Sequence, residues 1–545
     1  MMLQPEAMES SSTEPVRGSG RIRACFIGGL GLGLLGLVVL APSGPLRTLR
    51  SAAGEAATAE SAFRGSASPA PLLGDGTAVD WWFAFKPTTA AFPSCSTKLT
   101  CMFGGDTQSY SGWGLQYILS YGSKGQTTPM KLHSDCLGNG PDPVARTFAQ
   151  VYSGSVANYV IWNDQFYDDP KLNIQPACVK YCAGPWGHSK GVMAWGEDGT
   201  GFIMQVTTPD WPGSGSSSKP RAEQGNTLGC CKDDNVKVAQ HFFAMRLQSL
   251  EDTKTVLLGL QRASVATDPN NAQLVKLTSG PSELSSLAKG LGKQVLDNLT
   301  PVLGTFSVRS QSGKQVRLIA KPSGLNVPPW QMVSSLIGAP LRTASWWGRP
   351  EINSTKSGYV PGCWNKNLKP PKEVQIALSG AWQGKTFSLE GRPSDDGNHA
   401  KLAHGLSGST VTVMGDMNQQ GSLNGDDGSS CKESQNGRGG LFFVMDDAVL
   451  HAGLAELLHG ATADYAGSGP SPPSPPSPSP SPPSPPGPSG QCGGAGMSWQ
   501  SCKQSGCTYV HKADAPTCKV PSFGCYPSAS LPSSCHKSAS AKLVA

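Results

Sequence analysis

Excess charge of one sign is the first thing this chain lacks. Its 545 residues carry 44 Lys and Arg against 38 Asp and Glu, a net charge of +6, and charged residues make up only 15%. So small a balance does not by itself mark a nucleic-acid binder, although it permits a polyanionic substrate. Cysteines at zinc-ligand spacing are scarce and no His-Cys cluster completes such a site. The 16 cysteines therefore read as disulfides formed in an oxidising lumen or outside the cell. A calcium loop is incomplete in the same way. Asp416 to Asp427 has ligand types at several positions and Gly421 at the sixth, but lacks the closing bidentate Glu, and a strand precedes it where a helix is needed. No metal and no cofactor is expected.

What the chain does have is a clear division of composition. Residues 1–23 form a polar head, and 24–42 carry no charge and, as a helix, would span about 28 Å, close to the hydrocarbon core of a bilayer. This run is a cleaved signal peptide or a non-cleaved signal anchor, and either delivers the rest to a lumen. Residues 43–77 are rich in Ala, Ser, Gly and Pro and read as a flexible tether, and 78–460 hold the strand and helix patterns of a large folded domain. A linker follows at 461–490, almost wholly Ser and Pro from Gly467 on, whose expected form is an extended polyproline spacer. Residues 491–545 hold six cysteines and read as a small disulfide-rich module.

Inside the large domain, Val79 to Lys86 has the aromatic density of a buried strand, and Pro143 opens a helix with Val144, Phe148 and Val151 on one face. Asn158 to Gln165 reads as a strand ending in polar groups, Gly201 to Thr208 as another, and Ala448 to Leu458 as a last helix. Asn235 to Gln248 has the pattern of an amphipathic helix, with Val238, Phe242, Phe243 and Met245 towards a core. Nine cysteines between residues 95 and 431 leave at least one free or paired elsewhere, with Cys178 and Cys182 more suited to a disulfide than to a metal. Asn298 and Asn353 head glycosylation tripeptides in form.

The chemistry lies in Gly187-His188-Ser189-Lys190-Gly191 and in His399-Ala400-Lys401. In an extended segment the period of two places His188 and Lys190 on one face, so an imidazole and an ammonium converge on one point. Two such couples supply what phosphodiester hydrolysis through a covalent intermediate needs: one imidazole to attack phosphorus, a second to protonate the leaving oxygen, and two cations to offset charge on the phosphoryl oxygens. One histidine must be charged and the other neutral, a mixed state favoured at mildly acidic pH. Which imidazole attacks is left open.

Val79-Asp80-Trp81 with Lys86, Trp162-Asn163-Asp164-Gln165, the His188 motif, Gly415-Asp416-Met417-Asn418 and Arg438-Gly439-Gly440 stand in the order seen in the deoxyribonuclease II family, which residues 78–460 resemble. The resemblance implies an α/β fold, a phospholipase D-like pseudo-dimer of two mixed-sheet lobes with the site between them. It further implies metal-independent acid endonuclease action on DNA through a phosphohistidine, leaving 3′-phosphates. By that resemblance His188, Lys190, His399 and Lys401 are the catalytic set, and Asn418 contacts substrate phosphate. Where animal members carry a further His the chain has Gln205-Val206, and Asp210 stands as the first-half counterpart of Asn418. The same residues would serve a phospholipase or another phosphodiesterase, and a catalytically silent wall or surface binding protein is the other alternative. The spacer resembles hydroxyproline-rich segments of algal wall proteins, and the Cys-rich module loosely resembles cellulose-binding modules. Expected partners are therefore DNA, a polysaccharide or cell-wall contact at the C-terminus, and a membrane if 24–42 is an anchor. The expected location is the secretory pathway: lysosome or vacuole, anchored in a lumen, or extracellular.

Overall fold

A computed structural model describes residues 68–467 and two short strands at Thr508–Val510 and Gly524–Tyr526. Within that span it leaves out 93–115, 134–136, 138–141, 167–171, 179–180, 210–237, 296–300, 308–314, 426–429 and positions 89, 153, 393 and 395. The polar head, the apolar run at 24–42, the spacer, Asp210, the Asn298 tripeptide and nearly all of the Cys-rich module thus lie outside the described residues. Among the described residues no helix is long and apolar enough to cross a membrane.

In the first half the chain forms β1 (Trp81–Lys86), β2 (Tyr117–Ser123), β3 (Gln126–His133), α1 (Pro143–Tyr152), β4 (Asn158–Trp162), β5 (Gly191–Trp195), β6 (Gly201–Val206), β7 (Gln240–Leu247) and α2 (Leu250–Arg262). Then come β8 (Val275–Leu277), α3 (Ser282–Lys289), β9 (Val302–Ser307), β10 (Gln315–Lys321), α4 (Pro329–Ile337), β11 (Leu341–Ala344), β12 (Val374–Ile376), β13 (Ser379–Trp382) and β14 (Lys385–Ser388). The last elements are β15 (Leu402–Gly405), β16 (Val411–Gly415), β17 (Gly440–Asp446) and α5 (Ala448–Leu457). One sheet has eight strands in the order β3-β2-β1-β7-β6-β5-β4-β8, and a second has seven in the order β9-β10-β17-β16-β15-β11-β12. The protein is thus mixed α/β.

The helices begin where local chemistry stops the chain from fraying. The Asp142 carboxylate accepts the Ala145 N–H at the start of α1, Ser249 accepts from Asp252 at the start of α2, and Asp447 accepts from Val449 and Leu450 at the start of α5. On α1, Val144, Phe148 and Val151 are buried as their spacing predicts. Just before the folded body, Ala70 and Leu72 donate to the Gln150 and Thr147 side chains of α1, and at its far end Ala466 donates to the Ser354 carbonyl.

The helix predicted over 235–248 is a strand in the structure, β7, paired on both sides by β1 and β6. Phe242 and Phe243 are adjacent and both fully buried, which a strand enclosed on two faces requires and a one-sided amphipathic helix does not. The two sheets pack face to face where Phe243 of β7 meets Phe443 of β17, with ring centroids 5.5 Å apart. Among the described residues two disulfides, Cys178–Cys182 and Cys363–Cys431, join loop residues and suit an oxidising compartment.

Candidate active site

The run Gly187–Lys190 leads into β5, and it is tied down by backbone bonds from both halves of the chain. The Gly187 N–H donates to the Ser264 carbonyl at 2.8 Å and the His188 N–H to the Gly439 carbonyl at 2.9 Å. Glycine is required at two points of this junction. A Cβ on Gly187 would lie 2.4 Å from the Ala263 oxygen, and one on Gly439 would lie 2.1 Å from it. The matching run before β15 is held in the same manner, the His399 N–H donating to the Ala239 carbonyl at 2.8 Å.

The two His-x-Lys couples occupy equivalent register. The Lys190 carbonyl accepts from Val206, the last residue of β6, and the Lys401 carbonyl from Gly415, the last residue of β16. The next residue in each turn then anchors the opposite imidazole. His188 Nδ1 bonds the Asp416 carbonyl, and His399 Nδ1 bonds the Thr207 carbonyl at 2.6 Å. A carbonyl can only accept, so both rings carry their proton on Nδ1 and leave Nε2 free for chemistry. All four side chains are buried, and His188, Lys190, His399 and Lys401 act electrostatically on one another. The structure brings these four predicted residues together.

Asp164 sets the charge at the first couple. Its carboxylate forms a buried ion pair with Lys190 and accepts from the Arg438 guanidinium at 2.7 Å. Burial alone would push its pKa up, but Lys190, His188 and Arg438 hold it well below the usual carboxylate range. Burial, reinforced by Lys190 and opposed by Asp164, drives His188 well below its ordinary value. Burial with Lys401 and Lys190 does the same to His399. Lys190 and Lys401 are themselves lowered, burial being the larger cause in each. Asp416 faces the other way: burial pushes its carboxyl up to about 7, against hydrogen bonds from Ser189 and the Leu441 N–H. Ser189 in turn accepts from the Trp162 indole at 2.9 Å.

The second couple has no carboxylate at the matching place. Trp162 pairs with Gly191, the residue after Lys190, and Ala344 pairs with Leu402, the residue after Lys401. Two residues beyond Trp162 lies Asp164, and two beyond Ala344 lies Trp346, whose ring meets His399 edge-to-face at 5.2 Å. Asn418 is held by Gln420, to which its amide donates at 2.7 Å, and by Gln435, which accepts its backbone N–H. These contacts do not reach the four His and Lys side chains.

Sequence reasoning gave no role to Asp164, Asp416, Arg438 or Trp346. Asp164 and Arg438 stood in quoted motifs, yet the ion pair between them spans 274 residues and leaves no local periodicity. The usable signal was a charged group directly after an apolar strand, as in Trp162-Asn163-Asp164. Among the described residues no group of three or more His, Cys, Asp or Glu could hold a metal ion. Asp416, the first position of the calcium-like run, has one carboxylate oxygen taken by the Leu441 N–H.

No curated protein matches the chain. The model of the family described as Deoxyribonuclease II matches residues 72–438, a span that contains both His-x-Lys couples, Asp164, Asp416 and Arg438. Matched over most of its described length, the chain belongs to the deoxyribonuclease II family and is a phosphodiester hydrolase of the deoxyribonuclease type.

Proposed function

We propose that the protein is an acid endonuclease that cuts DNA through a phosphohistidine, leaves 3′-phosphates and uses no metal, with His188, Lys190, His399 and Lys401 as the catalytic set. The observation that carries this reading is the reciprocal anchoring of the two imidazoles. Each ring is fixed by a carbonyl from the other half, with its Nε2 free, beside a buried lysine. A pseudo-dimer of two phospholipase D-like lobes is supported by the common order of β1-β7-β6-β5-β4 and β10-β17-β16-β15-β11, antiparallel throughout.

In the proposed reaction one Nε2 lone pair attacks phosphorus, the P–O5′ bond breaks, and the other histidine, as imidazolium, gives its proton to O5′. Water then attacks the phosphohistidine, the now neutral histidine takes its proton, and the P–N bond breaks to release the 3′-phosphate. The lysines offset charge on the phosphoryl oxygens in both steps. Asn418 is proposed as a further phosphate contact, reached when its amide leaves Gln420. Action in an acidic lumen of the secretory pathway or outside the cell follows from the need for one imidazolium. A polysaccharide contact for the Cys-rich module and a membrane anchor at 24–42 remain expectations from composition.

Plasmid cleavage at pH 5 in chelator tests the core of this. Wild type is expected to cut, and His188→Ala and His399→Ala each to lose at least about 10²-fold in rate. Undiminished cutting by either variant removes that residue from the chemistry, and loss of wild-type cutting in chelator removes metal independence.

A further inference from the structure

A cleft of about 690 Å³ opens between loops of both halves, beside the His188 run. Its walls include Tyr181, Gly184, Asn326, Lys432, Gln435 and Arg438, and among the described residues no Asp or Glu lines it. The Arg438 guanidinium forms part of the wall while bonding Asp164 at 2.7 Å and the Gly187 carbonyl at 3.1 Å, so the cleft is one residue from His188. Gln435 accepts the Asn418 N–H from the same side. The volume suits a nucleotide-sized guest.

Tyr181 is the unusual member of the lining. It is 61% exposed, yet it sits inside the five-residue loop closed by Cys178–Cys182. Cys182 is pinned to the site: its N–H donates to the Asp164 carbonyl at 2.6 Å and its own carbonyl accepts from Arg438 at 2.7 Å. A large ring is therefore presented to solvent at the cleft's edge, next in sequence to Cys182, which is bonded to the site on both its N–H and its carbonyl. Asn326 and Ser434, also in the lining, both hold left-handed backbone, at φ 52° and 49°. The exposed Lys432 adds a cation, and no carboxylate stands among the described lining residues.

We infer that this cleft is a nucleotide subsite of the substrate strand, in which the base of a residue flanking the scissile phosphate stacks on Tyr181 and the adjoining phosphate meets Lys432. The inference rests on the nuclease reading above and extends it to how the strand is held. Aromatic stacking tolerates any base, so the subsite raises affinity for polynucleotide without imposing sequence preference. Its contribution is absent for a diester too small to reach it.

Steady-state kinetics of the full chain on an oligodeoxynucleotide and on bis(p-nitrophenyl) phosphate at acid pH test this. Tyr181→Ala is expected to raise KM for the oligonucleotide about tenfold, Tyr181→Phe to leave it near wild type, and Lys432→Glu to raise it with a weaker salt dependence. All three should turn over the small diester as wild type does, which also reports intact folding. A KM for the oligonucleotide within twofold of wild type in both Tyr181→Ala and Lys432→Glu overturns the subsite, as does an equal loss on the small diester. A wild-type chain that hydrolyses neither substrate overturns the nuclease reading itself.

Discussion

At the scale of single residues, the environment of the two histidines fixes how activity should depend on pH. Burial and two lysines push both imidazoles below their ordinary value, so the free site is disposed to hold two neutral rings where the proposed reaction needs one imidazolium. A bound phosphodiester brings a negative charge that reverses part of this shift. The value of kcat/KM should therefore fall as pH rises through a point below 6.5, while the matching limb of kcat lies at higher pH. Lys401→Met removes the largest charge acting on His399 and should move the kcat/KM limb upwards while lowering kcat, which pH-rate profiles of both proteins would register. Asp416 supplies a stability counterpart. Its folded pKa of about 7 lies above the unfolded carboxyl value, so it contributes stability that is present at low pH and lost as pH rises towards 7. Asp416→Asn keeps the backbone carbonyl that anchors His188, and its stability relative to wild type should rise by more than about 1 kcal/mol between pH 4 and pH 7, then level off. Urea unfolding across that range measures it, and a flat difference would remove the buried-acid account. The four His and Lys residues were legible because a spaced pair leaves a mark in the sequence. Trp346 was not, because an aromatic after an apolar strand looks like any other core residue.

At the scale of elements, what positions the chemistry is the set of turns at one end of the strands, more than the strands themselves. The turn after β6 ends on the carbonyl that holds His399, and the turn after β16 on the carbonyl that holds His188. The turn before β17 brings Arg438 to Asp164 and Gly439 to the His188 N–H, with Lys321 beneath it donating to the Asn436 and Arg438 carbonyls at 2.8 Å. Burial alone lowers the Lys321 pKa to about 7. Gly439→Ala tests how tightly this junction is set. Its Cβ would meet the Ala263 backbone oxygen and not a flexible side chain, so relief requires Gly439 to move away from Ala263, which disturbs the bond from the His188 N–H to the Gly439 carbonyl. The expected result is a loss of about 2 kcal/mol in stability and a fall in kcat larger than that of Gly338→Ala, where nothing lies within 4 Å and only left-handed strain is added. The strands around the site were legible as apolar runs. The reading of β7 as a helix failed because a strand buried on both faces loses the alternation that would identify it, and adjacent Phe242 and Phe243 then fit a helical stripe by chance.

For the whole molecule, the two sheets share a strand order with almost no shared residues beyond the His-x-Lys couples. The likeness lies in hydrogen-bond register, which side-chain identity does not record, and matched positions carry groups as unlike as Asp164 and Trp346. By sequence Asp210 was set against Asn418; by register the Asp416 turn answers to the turn at Thr207, whose backbone carbonyl holds His399, and Asp210 itself lies outside the described residues. Two sheets of like strand order would fold as independent lobes if each had its own core, but the packing argues against it. Phe243 and Phe443 close one core from both sheets, Gly259 of α2 lies against Leu318 of β10, and Gly453 of α5 lies against Met130 of β3, so each half lends a helix to the other. The buried Asp164–Arg438 pair adds a charge from each half that separation would leave without its partner. Thermal unfolding of the folded body should accordingly be a single transition whose calorimetric and van't Hoff enthalpies agree. Arg438→Met should lower its midpoint without splitting it, since the apolar core stays shared. Two resolved transitions, one abolished by mutations confined to a single sheet, would mean that the halves stand alone and that the imidazoles meet only by docking.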